Sequence, residues 1–129
     1  MCPRFNFDHT LSVGTGLRLG FQRWEIYGAG GHDPNAAIFF EPTSRVLISG
    51  DALWKNGFGV VFPELKGCNA FCDVGATLNL IEQFNPTKVI PGHGPVFKYN
   101  KQVLEVARER LDAFITDPLK LRAMRGKCC

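Results

Sequence analysis

Long hydrophobic runs are missing from this chain of 129 residues. The longest, Ala36–Phe40, has five residues, where a membrane helix needs roughly 20. No membrane partner is expected. The first ten residues include Arg4, Asn6, Asp8 and His9 and lack the apolar stretch of a secretory signal. An excess of one charge is also missing, the formal net charge being +3. Residues 101–129 hold seven of the 15 Lys and Arg and four of the 12 Asp and Glu, so the rest of the chain is balanced. Without a concentrated basic face, nucleic acid is not an expected partner. Cysteine is sparse, odd in number and irregularly spaced: Cys2, Cys68, Cys72, Cys128 and Cys129. That argues against a disulfide framework and predicts reduced thiols in a cytoplasmic protein. Cys68 and Cys72 stand one helical turn apart but have no second pair to make a zinc site. Cys128-Cys129 reads as two thiols on a frayed end rather than a lipid attachment point. Histidine is scarcest of all, with only His9, His32 and His93.

What is present describes one globular domain over residues 1–129. The composition is 45% hydrophobic and 21% charged, which excludes a disordered tail. Fourteen Gly and eight Pro imply many turns. Residues 1–65 read as strands. Leu17, Leu19 and Phe21 alternate with polar or small residues, and Trp24 and Ile26 flank Glu25, the period of half-buried strands. Ala36–Phe40 and Val46–Ser49 are joined by the turn sequence Glu41-Pro42-Thr43-Ser44 and predict an antiparallel hairpin. Residues 70–129 read as mainly helical. Val74, Leu78, Ile81 and Phe84 have helical spacing, with Asn69 as cap and Asn85-Pro86 as stop. Lys88–Ile90 is a short strand. Val103, Leu104, Ala107, Leu111 and Phe114 mark a second amphipathic helix, and Asp117-Pro118 a third, short one. These stripes are read first as core.

Two of the three histidines share an unusual setting with one aspartate. The apolar strand Trp24–Tyr27 is followed by Gly28-Ala29-Gly30-Gly31 and His32. Val46–Ser49 is followed by Gly50 and Asp51. Lys88–Ile90 is followed by Pro91-Gly92 and His93. Three times a strand ends on a glycine, which allows a sharp turn, and then on a metal-ligand type of side chain. Side by side, such strands would gather His32, Asp51 and His93 at one edge of a sheet, and two imidazoles with a carboxylate suit zinc or iron. Singly, each histidine is more often a turn or core residue than a ligand, and an aspartate after glycine is commonly a turn residue; the repetition carries the signal. His9 lies in a polar stretch and reads as exposed. Gly28-x-Gly30 opens no helix, so a dinucleotide loop is not expected. Ser49, Asp51 and His93 are triad residue types, but no nucleophile elbow surrounds Ser49.

The words Gly31-His32-Asp33-Pro34-Asn35, Ser49-Gly50-Asp51-Ala52-Leu53 and Pro91-Gly92-His93-Gly94-Pro95, in that order, resemble the last three metal motifs of the metallo-β-lactamase superfamily. The resemblance runs from about Leu17 to about Thr116. It implies an αββα sandwich built of two similar halves, of which this chain corresponds to the C-terminal one: an α/β chain with a mostly antiparallel, mixed sheet and helices on one face. It implies hydrolysis of ester, thioester, lactam or phosphoester bonds by metal-bound hydroxide. His32 would ligate one metal, His93 a second, and Asp51 would bridge them as the catalytic carboxylate. The metal would be zinc, with iron or manganese as alternatives. Trp54 and Phe58, in the loop Leu53–Gly59 after Asp51, would line the substrate pocket or form an apolar lid over the sheet edge.

The superfamily's main motif, HxHxDH, is absent here, and three histidines leave it nowhere to hide. The expectation is therefore an incomplete metal centre with weak or no metal binding and low hydrolysis. The alternative is a non-catalytic truncated remnant, or an assembly module, with the same fold. A sheet that lacks its opposing half would leave an apolar face in water, at roughly 25 cal/mol per Å². That predicts a homodimer with sheets face to face, or a complementary half-domain as partner.

Overall fold

The computed structural model describes residue 4, residues 6–61 and residues 69–116, apart from the side chain of residue 69. Six strands form a single sheet in chain order: β1 (Gly16–Leu19), β2 (Gln22–Gly28), β3 (Ala37–Glu41), β4 (Val46–Gly50), β5 (Lys88–Pro91) and β6 (Phe97–Lys98). Two helices complete the described fold, α1 (Asn69–Phe84) and α2 (Lys101–Thr116). Neighbouring strands are antiparallel except β4 and β5, which run parallel. Parallel strands need a crossover, and the one between β4 and β5 contains α1. The mixed α/β architecture is the expected one.

The β3–β4 hairpin forms as its turn composition predicts. The Glu41 carboxylate closes the turn by accepting the backbone N–H groups of Thr43 at 3.1 Å and Ser44 at 2.7 Å, together with the Ser44 hydroxyl. The helix α1 buries Phe71, Val74, Leu78 and Ile81 on one face. It stops where Asn85 turns left-handed, at φ 44°. The Asn85 N–H bonds the carbonyls of Ile81 and Glu82, and the following Pro86 has no N–H with which to continue the helix. At the start of α2 the Asn100 side chain accepts the Val103 N–H at 3.0 Å, an N-cap bond. Val103, Leu104, Ala107 and Leu111 then turn inward.

The two sheet faces have separate fates. Ile38, Phe40, Leu47, Val89 and Phe97 share one hydrophobic cluster with the buried residues of both helices. On the other face a row runs straight across four strands, Ile26 beside Phe39, Phe39 beside Ile48, and Ile48 beside Ile90. Ile26 is buried, whereas the other three are half-buried.

Several expectations need correction. The alternation through Leu17, Leu19 and Phe21 does not make one half-buried strand. Strand β1 ends at Leu19, Gly20 turns left-handed at φ 62°, and Phe21 sits fully exposed at the hairpin tip. Nothing in the described fold packs on its ring. Strand β6, only two residues long, was beyond the reach of periodicity. Cys72 is disulfide-bonded rather than reduced. The helix expected from Asp117 and the Cys128-Cys129 pair lie outside the described residues. His9 is exposed, as expected, and no described helix is long and apolar enough to cross a membrane.

Candidate metal centre at the sheet edge

Strand directions decide where the ligand-type residues meet. Strand β3 is antiparallel to both β2 and β4, so β2 and β4 run the same way, and β5 follows β4. The C-terminal ends of β2, β4 and β5 therefore open on one edge, and His32, Asp51 and His93 follow those ends. The chain could not turn there with ordinary residues. Gly31 has φ 128° and lies against α1 so tightly that a Cβ would come within 2.4 Å of Val74 Cγ2. Gly50, at φ 52°, coincides with a register shift between β4 and β5, which swings Asp51 out of the ladder.

The three residues do come together, with Asp51 in the middle. Asp51 Oδ2 lies 3.3 Å from His32 Nε2, and Asp51 Oδ1 lies 3.6 Å from His93 Nε2. Each imidazole thus faces a different carboxylate oxygen. The His93 side chain is 71% exposed, against 34% for His32 and 28% for Asp51. His32 is fixed by its other nitrogen: Nδ1 bonds the backbone carbonyl of Val60. A carbonyl only accepts, so Nδ1 carries the proton, and in the neutral ring Nε2 keeps its lone pair. That is how an imidazole is prepared for a metal.

The backbone is moulded closely around Asp51. The N–H of Gly59 donates to the Asp51 carbonyl at 2.7 Å, and that of Gly92 to the Gly50 carbonyl at 2.7 Å. A Cβ on Gly92 would lie 3.1 Å from Asp51 Oδ1. Behind the site, Ser49 Oγ donates to the Leu53 carbonyl at 2.6 Å, and Thr77 Oγ1 on α1 donates to the Gly30 carbonyl at 3.2 Å.

Trp54 and Phe58 part company. Trp54 is half-buried at the site, its indole N–H donating to Asp51 Oδ1 at 3.1 Å and its ring meeting that of His93 edge-on at 5.2 Å. Phe58 is 2% exposed and turns into the core, where its ring lies 6.4 Å from that of Phe114. It borders a cavity of about 10 Å³ with Gly30, His32, Asp51, Ala52, Val74 and Thr77, space for one water at most.

As donors, two Nε2 atoms and a carboxylate fit a transition-metal ion in kind. They do not amount to one three-donor site. Among the described residues no group of three or more His, Cys, Asp or Glu surrounds a common point. Asp51 is the group common to both contacts, one carboxylate oxygen toward each imidazole.

Fold and edge site together define an α/β chain with a polar centre assembled from strand-end loops. The model of the metallo-beta-lactamase superfamily matches residues 2–93, and the chain belongs to that superfamily. Among solved structures it is similar to a beta-lactamase domain protein from Burkholderia ambifaria, with a TM-score of 0.73 and 25% identity over 86% of this chain and 34% of that one. A metallo-beta-lactamase from Staphylococcus aureus aligns with a TM-score of 0.69 and 18% identity, over 84% of this chain and 39% of its own. A metallo-beta-lactamase family protein from Thermus thermophilus gives 0.61 and 22%, over 88% and 34%. This chain spans well under half the length of each. No curated protein matches.

Residue patterns revealed the ligand types but not what holds them. The Val60 carbonyl, Gly59 and Thr77 carry no signal of their own in the sequence, because a backbone acceptor and a close contact become visible only once the loop is folded.

Proposed function

We propose that this chain carries part of the site of a metal-dependent hydrolase that cleaves ester, thioester, lactam or phosphoester bonds, and that the site is incomplete in this chain alone. The observation that supports this is Asp51 held between His32 and His93, one oxygen toward each. The metal, zinc first, would be held by His32 and Asp51 on one side and by His93 and Asp51 on the other. Bound metal supplies hydroxide near neutral pH and polarises the scissile oxygen. The chain's own part is to orient. Val60 fixes the His32 tautomer, and the Gly50 and Gly92 turns hold the carboxylate at the sheet edge.

The second reading is an assembly module with the same fold and no catalysis. The row Ile26, Phe39, Ile48 and Ile90 favours it, and we propose that a second copy or a complementary half-domain packs there.

Zinc titration by calorimetry, followed by an ester-hydrolysis assay, tests the first reading. The expected result is weak zinc uptake, reduced further in Asp51→Ala, with hydrolysis near background until a complementing polypeptide is added. Tight stoichiometric zinc with esterase activity in this chain alone would overturn the incompleteness. No zinc uptake with or without a complementing chain leaves the assembly module.

A further inference from the structure

We propose that Trp54 is a positioning residue for the centre, acting on Asp51 through its indole N–H and on His93 through its ring. The inference rests on the reading of Asp51 and His93 as ligands.

Trp54 is fastened on both sides. Its own N–H donates to the Gly57 carbonyl at 2.7 Å, closing a tight turn, and the preceding residue is pinned through its carbonyl by Ser49 Oγ. Gly57, at φ 131°, lies beneath α2, so that a Cβ there would be 3.0 Å from Arg110 Cδ. The Arg110 guanidinium then sits over the Phe58 ring at 5.4 Å. The turn is thus clamped from the helix side, with Trp54 half-buried at its start and Lys55 and Asn56 exposed at its tip.

An indole N–H is a donor only. It cannot ligate a metal or take a proton, but it can select which lone pair of a carboxylate oxygen stays free. Asp51 Oδ1 accepts it at 3.1 Å while facing His93 Nε2 at 3.6 Å. The same indole meets the His93 ring edge-on at 5.2 Å and gives a mostly exposed imidazole its one aromatic neighbour among the described residues. One side chain therefore sets the relation between two ligand-type groups. The other tryptophan makes a contrast, since Trp24 Nε1 is buried with no hydrogen-bond partner among the described residues.

The test compares the wild type with Trp54→Phe, which keeps a ring and loses the N–H, and with Trp54→Leu, which loses both. In the metal-free protein, hydrogen exchange of the Trp54 indole should quicken at least about tenfold in Asp51→Ala, as expected when an acceptor is lost. The ring-current shift of His93 should survive in part in Trp54→Phe and vanish in Trp54→Leu. With cobalt or zinc, Trp54→Phe should weaken binding by about tenfold, the usual effect of losing an outer-shell partner. Unchanged indole exchange in Asp51→Ala, or equal metal affinity in the wild type and Trp54→Phe, overturns the inference. If neither the wild type alone nor the wild type with a complementing chain takes up metal, the hydrolase reading fails, and the exchange and ring-shift measurements still decide the role of Trp54. A variant whose thermal unfolding shows it misfolded is replaced by Trp54→Met, which loses both the ring and the N–H and for which the losses of Trp54→Leu are expected.

Discussion

Gly59 lies so close to Asp51 that a Cβ at position 59 would stand 2.6 Å from the Asp51 Cβ. That contact is with a short, rigid part of the neighbour and not with the end of a flexible chain. The His32 Nδ1 atom would be only 3.2 Å away on the same side. Gly59→Ala should therefore cost about 1–3 kcal/mol, the range for forcing an extra methyl into a packed site. It should also displace Asp51 relative to His32. Chemical denaturation measures the first effect, and chemical-shift changes at both residues measure the second.

The core should respond as a close-packed interior. Leu78 is fully buried between α1 and the sheet cluster, so Leu78→Ala should destabilise by about 2–5 kcal/mol. A loss below 1 kcal/mol in the same denaturation experiment would mean that α1 is not docked as described.

The end of α1 gives a smaller, signed prediction. Asn85 adopts φ 44°, a conformation that glycine and asparagine tolerate and alanine does not. Asn85→Ala should cost about 1 kcal/mol, whereas Asn85→Gly should be near neutral. The order of the two midpoints is the check.

Acid should weaken the β3–β4 turn. The Ser44 hydroxyl and N–H, followed by the Thr43 N–H, hold the Glu41 carboxyl below its ordinary value of 4.5. A group depressed in the folded state contributes stability that is present above its unfolded value and is lost as pH falls through the folded one. Unfolding free energy should thus decline as pH falls below about 4.5, the ordinary value of this carboxyl. Glu41→Gln should flatten part of that decline. Midpoints measured from pH 6 to pH 2 would reveal it, and parallel curves for the two proteins would refute it.

The apolar row on the second sheet face gives the prediction for association. If a second copy packs there, Ile48→Lys should leave the fold intact, since Ile48 is only half-buried, and should shift sedimentation toward the monomer at micromolar concentration. A wild type already monomeric under those conditions would rule out self-association through this face.

Much of this was legible in the chain itself, for identifiable reasons. The stretches before His32, Asp51 and His93 each combine apolar strand residues with glycine, so both the strand and its abrupt end are written locally. The helices α1 and α2 announce themselves through inward residues at helical spacing. Leu19 and Phe21 misled because alternation reports a strand period and cannot tell an inner strand from an exposed edge hairpin. Strand β6 escaped because two residues have no period. Trp54 pointed to the site, but its partners did not: a hydrogen bond to Asp51 and an edge contact with His93 follow from a loop closed by Gly57 and pressed by Arg110, a residue far along the chain.

The parallel pairing of β4 and β5 has a kinetic corollary. Asp51 and His93 follow strands joined through the whole α1 crossover, so their approach goes with the pairing of β5 beside β4. The earlier hairpins can close on their own, but this pairing is the slow, long-range step of the topology. Signals from the Trp54–His93 contact should therefore rise last during refolding, making that contact a clock for completion of the sheet.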